Sequence, residues 1–136
     1  MKFHELAIGS ALMAAAVAWH TNVRADTPAG QALFVKNCAA CHQPTGKGIP
    51  GAFPALAGNT FVQGPSRDPA SVLLKGRGGM PNFSGSLDDA EIAQVLSYVR
   101  SSWGNSAAPL SQDEVSALRT ELQVPPASHS RFGNKH

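Results

Sequence analysis

Cys38 and Cys41 are the only cysteines in the 136-residue chain, and His42 follows the second directly. On a helical turn, residues three apart project from one side, so both thiols can meet one flat molecule. A haem offers two vinyl groups that two such thiols capture as thioether bonds. His42 would then lie under the porphyrin centre, where a ring nitrogen can ligate iron. Cys-x-x-Cys-His in this order is the attachment signature of one covalent c-type haem. Other chemistries fit less well. A structural zinc site wants four nitrogen or sulfur ligands, usually from two such pairs, and the chain has no second pair. A thioredoxin-like dithiol wants a βαβ setting, which the pattern lacks. A disulfide across so short a loop is geometrically awkward and removes little chain entropy.

Iron held by His42 has an opposite face, and Met80 is the candidate ligand for it. Its segment, Gly78-Gly79-Met80-Pro81-Asn82-Phe83, is held away from helix by glycine and proline. Such a loop can turn one side chain inward at a fixed point. The competing reading is a methionine that fills a core gap. His129 and His136 sit in a polar tail and are poorer candidates. His/Met ligation fills both axial positions and raises the reduction potential. The expected chemistry is therefore electron transfer, not catalysis. The alternative is a haem enzyme or a gas-binding haem protein with an open sixth iron position.

Covalent haem attachment generally happens outside the cytoplasm, and the N-terminus fits that. Lys2 precedes an apolar run from Leu6 to Trp19, and Val23-Arg24-Ala25 puts small residues where a signal peptidase reads. Residues 1–25 are expected to be a signal peptide cleaved after Ala25, delivering the protein to the periplasm. The run is shorter than the ~20 residues that span a bilayer, so no membrane span is expected in the mature form. Met1 and Met13 leave with this segment, which makes Met80 the only mature methionine. Asp26 to His136 has the size of one small domain. It holds nine Lys/Arg against eight Asp/Glu, a balance that argues against nucleic acid as a partner. A chain this small builds a limited core of its own, so a buried haem would act as filling and as staple.

The elements that must position these residues read as helices. Thr27 and Pro28 suit the start of a first helix that runs into the haem motif. Gly30 and Phe34 stand one turn apart on it. Gln43 to Gln63 is rich in glycine and proline and reads as a loop, long enough to wrap a haem edge. Asp68-Pro69 starts a short helix over Ala70 to Lys75, ended by Gly76. Asp88 and Glu91 form a capping-box pattern. Ile92, Val95, Leu96 and Val99 then recur at i, i+3, i+4 and i+7, and Gly104-Asn105 stops the helix. A further helix is capped by Ser111 and Glu114 and carries Val115, Leu118 and Leu122. After Pro125-Pro126 the remainder reads as disordered. No segment shows sustained strand alternation, so the fold class is all-α.

In this order the pieces resemble a class I c-type cytochrome, from about Thr27 to Asn105. The motifs are Cys38-x-x-Cys41-His42, Phe53-Pro54-x-Leu56-Ala57-Gly58-Asn59, Gly79-Met80-Pro81-x-Phe83 and the helix from Leu87 through Arg100. The resemblance implies a small cytochrome c fold around one haem, with residues 26–105 as the domain and 106–136 as a C-terminal extension. It implies that the Gly30/Phe34 helix crosses the last helix of that domain near Tyr98. It also implies that the carbonyl of Pro54 accepts the Nδ1–H of the axial histidine, a bond that orients such a ligand. Leu56 to Asn59, Gly76 to Pro81 and Tyr98 to Asn105 resemble cytochrome c domains associated with bacterial membrane alcohol dehydrogenases. Those proteins usually carry three haem motifs, whereas this chain carries one. The partners implied are redox proteins: a periplasmic or membrane dehydrogenase, a terminal oxidase or another cytochrome. Arg77 could meet a haem propionate or stand as a solvated loop arginine. Ala39, Ala40, Pro44, Ile49 and Pro81 are expected to frame an uncharged docking edge.

Overall fold

The computed structural model describes residues 28–128; the signal-peptide reading, Thr27 and the last eight residues lie outside them. Six helices follow in chain order: α1 Pro28–Asn37, α2 Ala39–His42, α3 Thr60–Gln63, α4 Arg67–Lys75, α5 Asp89–Ser101 and α6 Gln112–Glu121. Among the described residues β-structure is confined to two isolated bridges, Ile49 with Phe53 and Arg77 with Met80. The fold is all-α.

Helix α5 is the axis of the core. Its Asp88 side chain accepts from the Glu91 amide while the Glu91 carboxylate accepts from the Asp88 amide, so the first turn closes on itself. Ile92, Ala93 and Val95 to Arg100 are all buried, because α1 covers one side of the helix and α4 and α6 cover another. Helix α1 buries only Gly30 and Phe34. A Cβ on Gly30 would fall 2.5 Å from the Gln94 carbonyl oxygen and 2.9 Å from Tyr98 Cβ, so the crossing depends on glycine. Phe34 is fully buried between Tyr98 and Trp103, with ring centroids 5.7 and 4.9 Å away. Such tilted ring contacts add about 0.5–1.5 kcal/mol each beyond the area they bury.

Several boundaries differ from the sequence reading. Helix α4 begins at Arg67, ahead of Asp68-Pro69, which occupy its first turn, where proline forfeits no intrahelical bond. A short helix, α3, interrupts the expected loop because Asn59 Oδ1 accepts from the Phe61 and Val62 amides. Helix α5 ends at Ser101, before Gly104-Asn105. Residues 125–128 are also ordered by contacts. The Pro125 carbonyl accepts from Arg119, Ala127 is buried, and Ser128 bonds to the Gly85 carbonyl.

Helix α6 carries a second capping box, between Ser111 and Glu114. The Ser111 amide, then its hydroxyl, hold the Glu114 carboxyl below the usual carboxylate range. That contribution is present above the unfolded-state pKa and is lost as pH falls through the lower folded-state value. Val115 and Leu118 bury the helix against α4 and α5.

Candidate functional site

Phe34 accepts a backbone bond from the Cys38 amide, and Cys38 in turn accepts from the Cys41 and His42 amides. The haem motif is therefore one continuous turn after α1, with Cys38 and Cys41 three residues apart on it. Both are free thiols. Cys38 is partly buried against the core and Cys41 is exposed. Burial, and then the neighbouring Cys41, push the Cys38 thiol up to about 11. A neutral thiol, or the neutral thioether it would become, suits that apolar place.

His42 is 6% exposed, and its Nδ1 lies 2.9 Å from the Pro54 carbonyl oxygen. A carbonyl can only accept, so Nδ1 carries a proton, and in the neutral ring the lone pair is then on Nε2. That is the tautomer a metal-ligating imidazole needs. The approach is tight. The Gly48 amide donates to the His42 carbonyl, and a Cβ on Gly48 would fall 2.6 Å from the Pro54 carbonyl oxygen. With φ +62°, Gly48 is also in the left-handed region that glycine favours.

Two residues at the end of α5 hold the same loop. The Trp103 ring lies where a Cβ of Gly46 would be, 2.4 Å from its nearest ring atom. Gly46 in turn accepts from the Leu56 and Ala57 amides through its carbonyl. Asn105 is 5% exposed; its Oδ1 accepts from the Gly58 amide while its Nδ2 donates to the Leu56 and Val99 carbonyls. The sequence reading took Asn105 as a helix stop and missed this role. Asn105→Ala is expected to take the partner from the buried Val99 carbonyl and from the part-buried Leu56 and Gly58 groups, and to cost about 2–4 kcal/mol. Guanidinium denaturation measures it; a loss below about 0.5 kcal/mol, the range of ordinary surface changes, would contradict the assignment.

Met80 sits on another segment. The Arg77 and Met80 backbones bond reciprocally at 3.1 and 3.0 Å, closing a turn that ends at Met80. Its side chain is partly buried and packs against the core that Cys38, Leu56 and Phe83 also border. Arg77 stacks its guanidinium 4.9 Å above the Phe61 ring. Of the residues expected at a docking edge, Ala39 is buried, because α2 turns it into the core. Ala40, Pro44, Ile49 and Pro81 are exposed.

The residues present fit a covalent haem. The donor set is two thiols on one turn, a buried imidazole whose Nδ1 is already engaged by a carbonyl, and a thioether on a separate turn. Large apolar side chains stand exposed beside both halves: Ile49 and Phe53 near Pro54, and Phe61 beside the Arg77–Met80 turn. A flat apolar group bound there would cover surface that otherwise faces water.

Comparison with known proteins shows the family. Residues 25–99 match the family model described as cytochrome C oxidase, cbb3-type, subunit III. The chain is 36% identical over 107 residues to an alcohol dehydrogenase (quinone) cytochrome c subunit of Gluconobacter oxydans, a match covering 68% of this chain and 22% of that one. It is 34% identical over 114 residues to cytochrome c-552 of Thermus thermophilus, covering 69% of this chain and 87% of the relative. Cytochrome c6 of a Picosynechococcus species is 34% identical over 104 residues, covering 69% and 89%. The chain thus spans about a fifth of the dehydrogenase subunits and most of the small cytochromes.

Proposed function

The chain belongs to the cytochrome c family, and on that premise we propose that it transfers single electrons in the periplasm through His/Met-ligated haem c. Haem c with its iron, the cofactor of this family, supplies a one-electron couple when bound. Cys38 and Cys41 would provide the two attachment sulfurs, and His42 Nε2 and Met80 Sδ would ligate the iron. Pro54 fixes the histidine ring and strengthens it as a ligand through the Nδ1–H bond. That bond, made by a buried imidazole directly after Cys-x-x-Cys, is the observation that carries the reading.

With both axial positions taken by side chains, the protein is a carrier or a non-catalytic subunit, not itself an enzyme. An open sixth position, as in a haem enzyme or gas-binding protein, would need Met80 elsewhere. Its redox partners are a periplasmic or membrane dehydrogenase, a terminal oxidase or another cytochrome. Relatives named as dehydrogenase cytochrome subunits support the first. The near-full-length match to c-552 and c6 supports a free carrier. No helix among the described residues is long and apolar enough to cross a membrane.

Docking relies on the uncharged edge formed by Ala40, Pro44, Ile49 and Pro81, because the nearly balanced net charge gives little long-range attraction. Stopped-flow electron transfer to a partner captured from the periplasmic fraction tests both points. The rate is expected to change by less than about tenfold from low to high salt. A steeper fall would mean steering by charge, and failure to exchange electrons with any captured partner would count against the function.

A further inference from the structure

Arg119, on α6, is 5% exposed, and its guanidinium serves four separate groups. Nε donates to Asp89 Oδ1 at 2.6 Å, Nη1 to the Ser84 and Pro125 carbonyls at 3.0 and 2.7 Å, and Nη2 to the Leu87 carbonyl at 3.2 Å. Nine residues later the Ser128 amide and hydroxyl both reach the Gly85 carbonyl, at 3.4 and 3.2 Å. Three of the four carbonyls in the turn 84–87 thus accept from the C-terminal extension.

That turn is the far end of the Met80 loop. The near end is closed by the Arg77–Met80 bonds, and a Cβ on Gly76 would fall 2.9 Å from the Met80 carbonyl oxygen. The middle is tied to α4 by the Phe83 amide on the Leu73 carbonyl. Beyond Leu87 the capping box of α5 begins. A surface turn with Gly85 and Ser86 exposed could satisfy its carbonyls with water. Burying a guanidinium carries a large desolvation cost that only well-placed partners offset. Its rigid planar fork fixes those partners relative to one another, and here they are the Met80 loop, the start of α5 and Pro125.

We propose that the segment Gln112–Ser128 is a clamp on the Met80 loop, with Arg119 as a positioning residue that keeps the thioether on the iron. This rests on the reading of Met80 as sixth ligand. Opening the loop to release Met80 then requires breaking the Arg119 and Ser128 bonds, so the clamp sets how often the sixth position becomes accessible.

The test uses the full-length ferric holoprotein and cyanide. Arg119→Gln is expected to bind cyanide at least tenfold faster than the parent. It should also lose the weak far-red band of the iron–thioether bond at guanidinium concentrations well below the far-UV unfolding transition. Leu118→Ala loosens the apolar side of α6 without touching the polar bonds, and should move both transitions together. If Arg119→Gln behaves like Leu118→Ala, Arg119 supports only the fold and the proposal fails. Should Arg119→Gln not accumulate, Arg119→Lys and Ser128→Ala carry the test, with cyanide binding two- to fivefold faster expected and parental rates overturning it. Hydrogen exchange at the Phe83, Ser86 and Leu87 amides reads the clamp without reference to the ligand. Faster exchange in Arg119→Gln, beyond that in Leu118→Ala, is the expected result. Parental cyanide access in Met80→Ala, alongside that faster exchange, would remove the ligand and leave the clamp on the loop.

Discussion

Replacing both Cys38 and Cys41 with alanine is expected to yield a secreted protein with no covalently held haem. The parent, by contrast, should have the mass of residues 26–136 plus one haem that survives denaturation. The two thiols stand on one turn and no other cysteine can substitute. The structural consequence should be as large as the chemical one. Each attachment sulfur would tie the haem to the turn that joins α1 to the Pro54 loop, so without them the apolar filling that a held haem supplies to a small core would be lost. Apolar burial is worth about 25 cal/mol per Å², so losing a haem-sized apolar filling should cost at least about 2 kcal/mol, a drop in melting temperature of roughly 10 °C or more. Intact-mass measurement and thermal melts read the two effects. A parent mass equal to the bare polypeptide would overturn the assignment of both cysteines.

Met80→Ala should have the next largest effect, on the redox centre and not on the fold. Met80 is partly buried at the edge of the core, so the truncation itself removes limited packing. Loss of a thioether ligand, however, should lower the reduction potential by on the order of 0.1 V, since axial ligands set potentials over a range of about 0.8 V. It should also let the ferrous protein bind CO and the ferric protein bind cyanide. Potentiometry and ligand titration measure these outcomes. An unchanged potential with unchanged ligand access would take Met80 out of the site.

The parts of the fold that were legible in the sequence are those whose signals are local. Asp88 with Glu91 and Ser111 with Glu114 each announce a helix start three residues apart, and both boxes form. Gly30 and Phe34 are one turn apart, and both are buried on the face of α1 that meets α5. The closeness of Pro54 to His42 came through family likeness; twelve residues of glycine-rich loop do not by themselves dictate a 2.9 Å contact. Asn105 and Arg119 were not legible, because all but one of their partners are backbone carbonyls and amides, several of them tens of residues away. Such groups are the same in every residue and leave no mark in the sequence. Gly48 was read only as loop composition, although its positive φ and its closeness to the Pro54 carbonyl shape the histidine's surroundings. The folding back of residues 125–128 was missed for a related reason. A proline-rich polar stretch looks unstructured until a buried arginine on another element offers it a donor.

The central claim is that one covalently attached haem c is ligated by His42 and Met80 and works as an electron carrier. The most direct single measurement is the absorption spectrum of the purified holoprotein in both oxidation states, recorded with and without CO. The account predicts a weak far-red band in the oxidised state that disappears on reduction, and a reduced spectrum that CO leaves unchanged. A high-spin oxidised spectrum without that band, with a reduced form that binds CO at once, would contradict it and place an open sixth position at the iron.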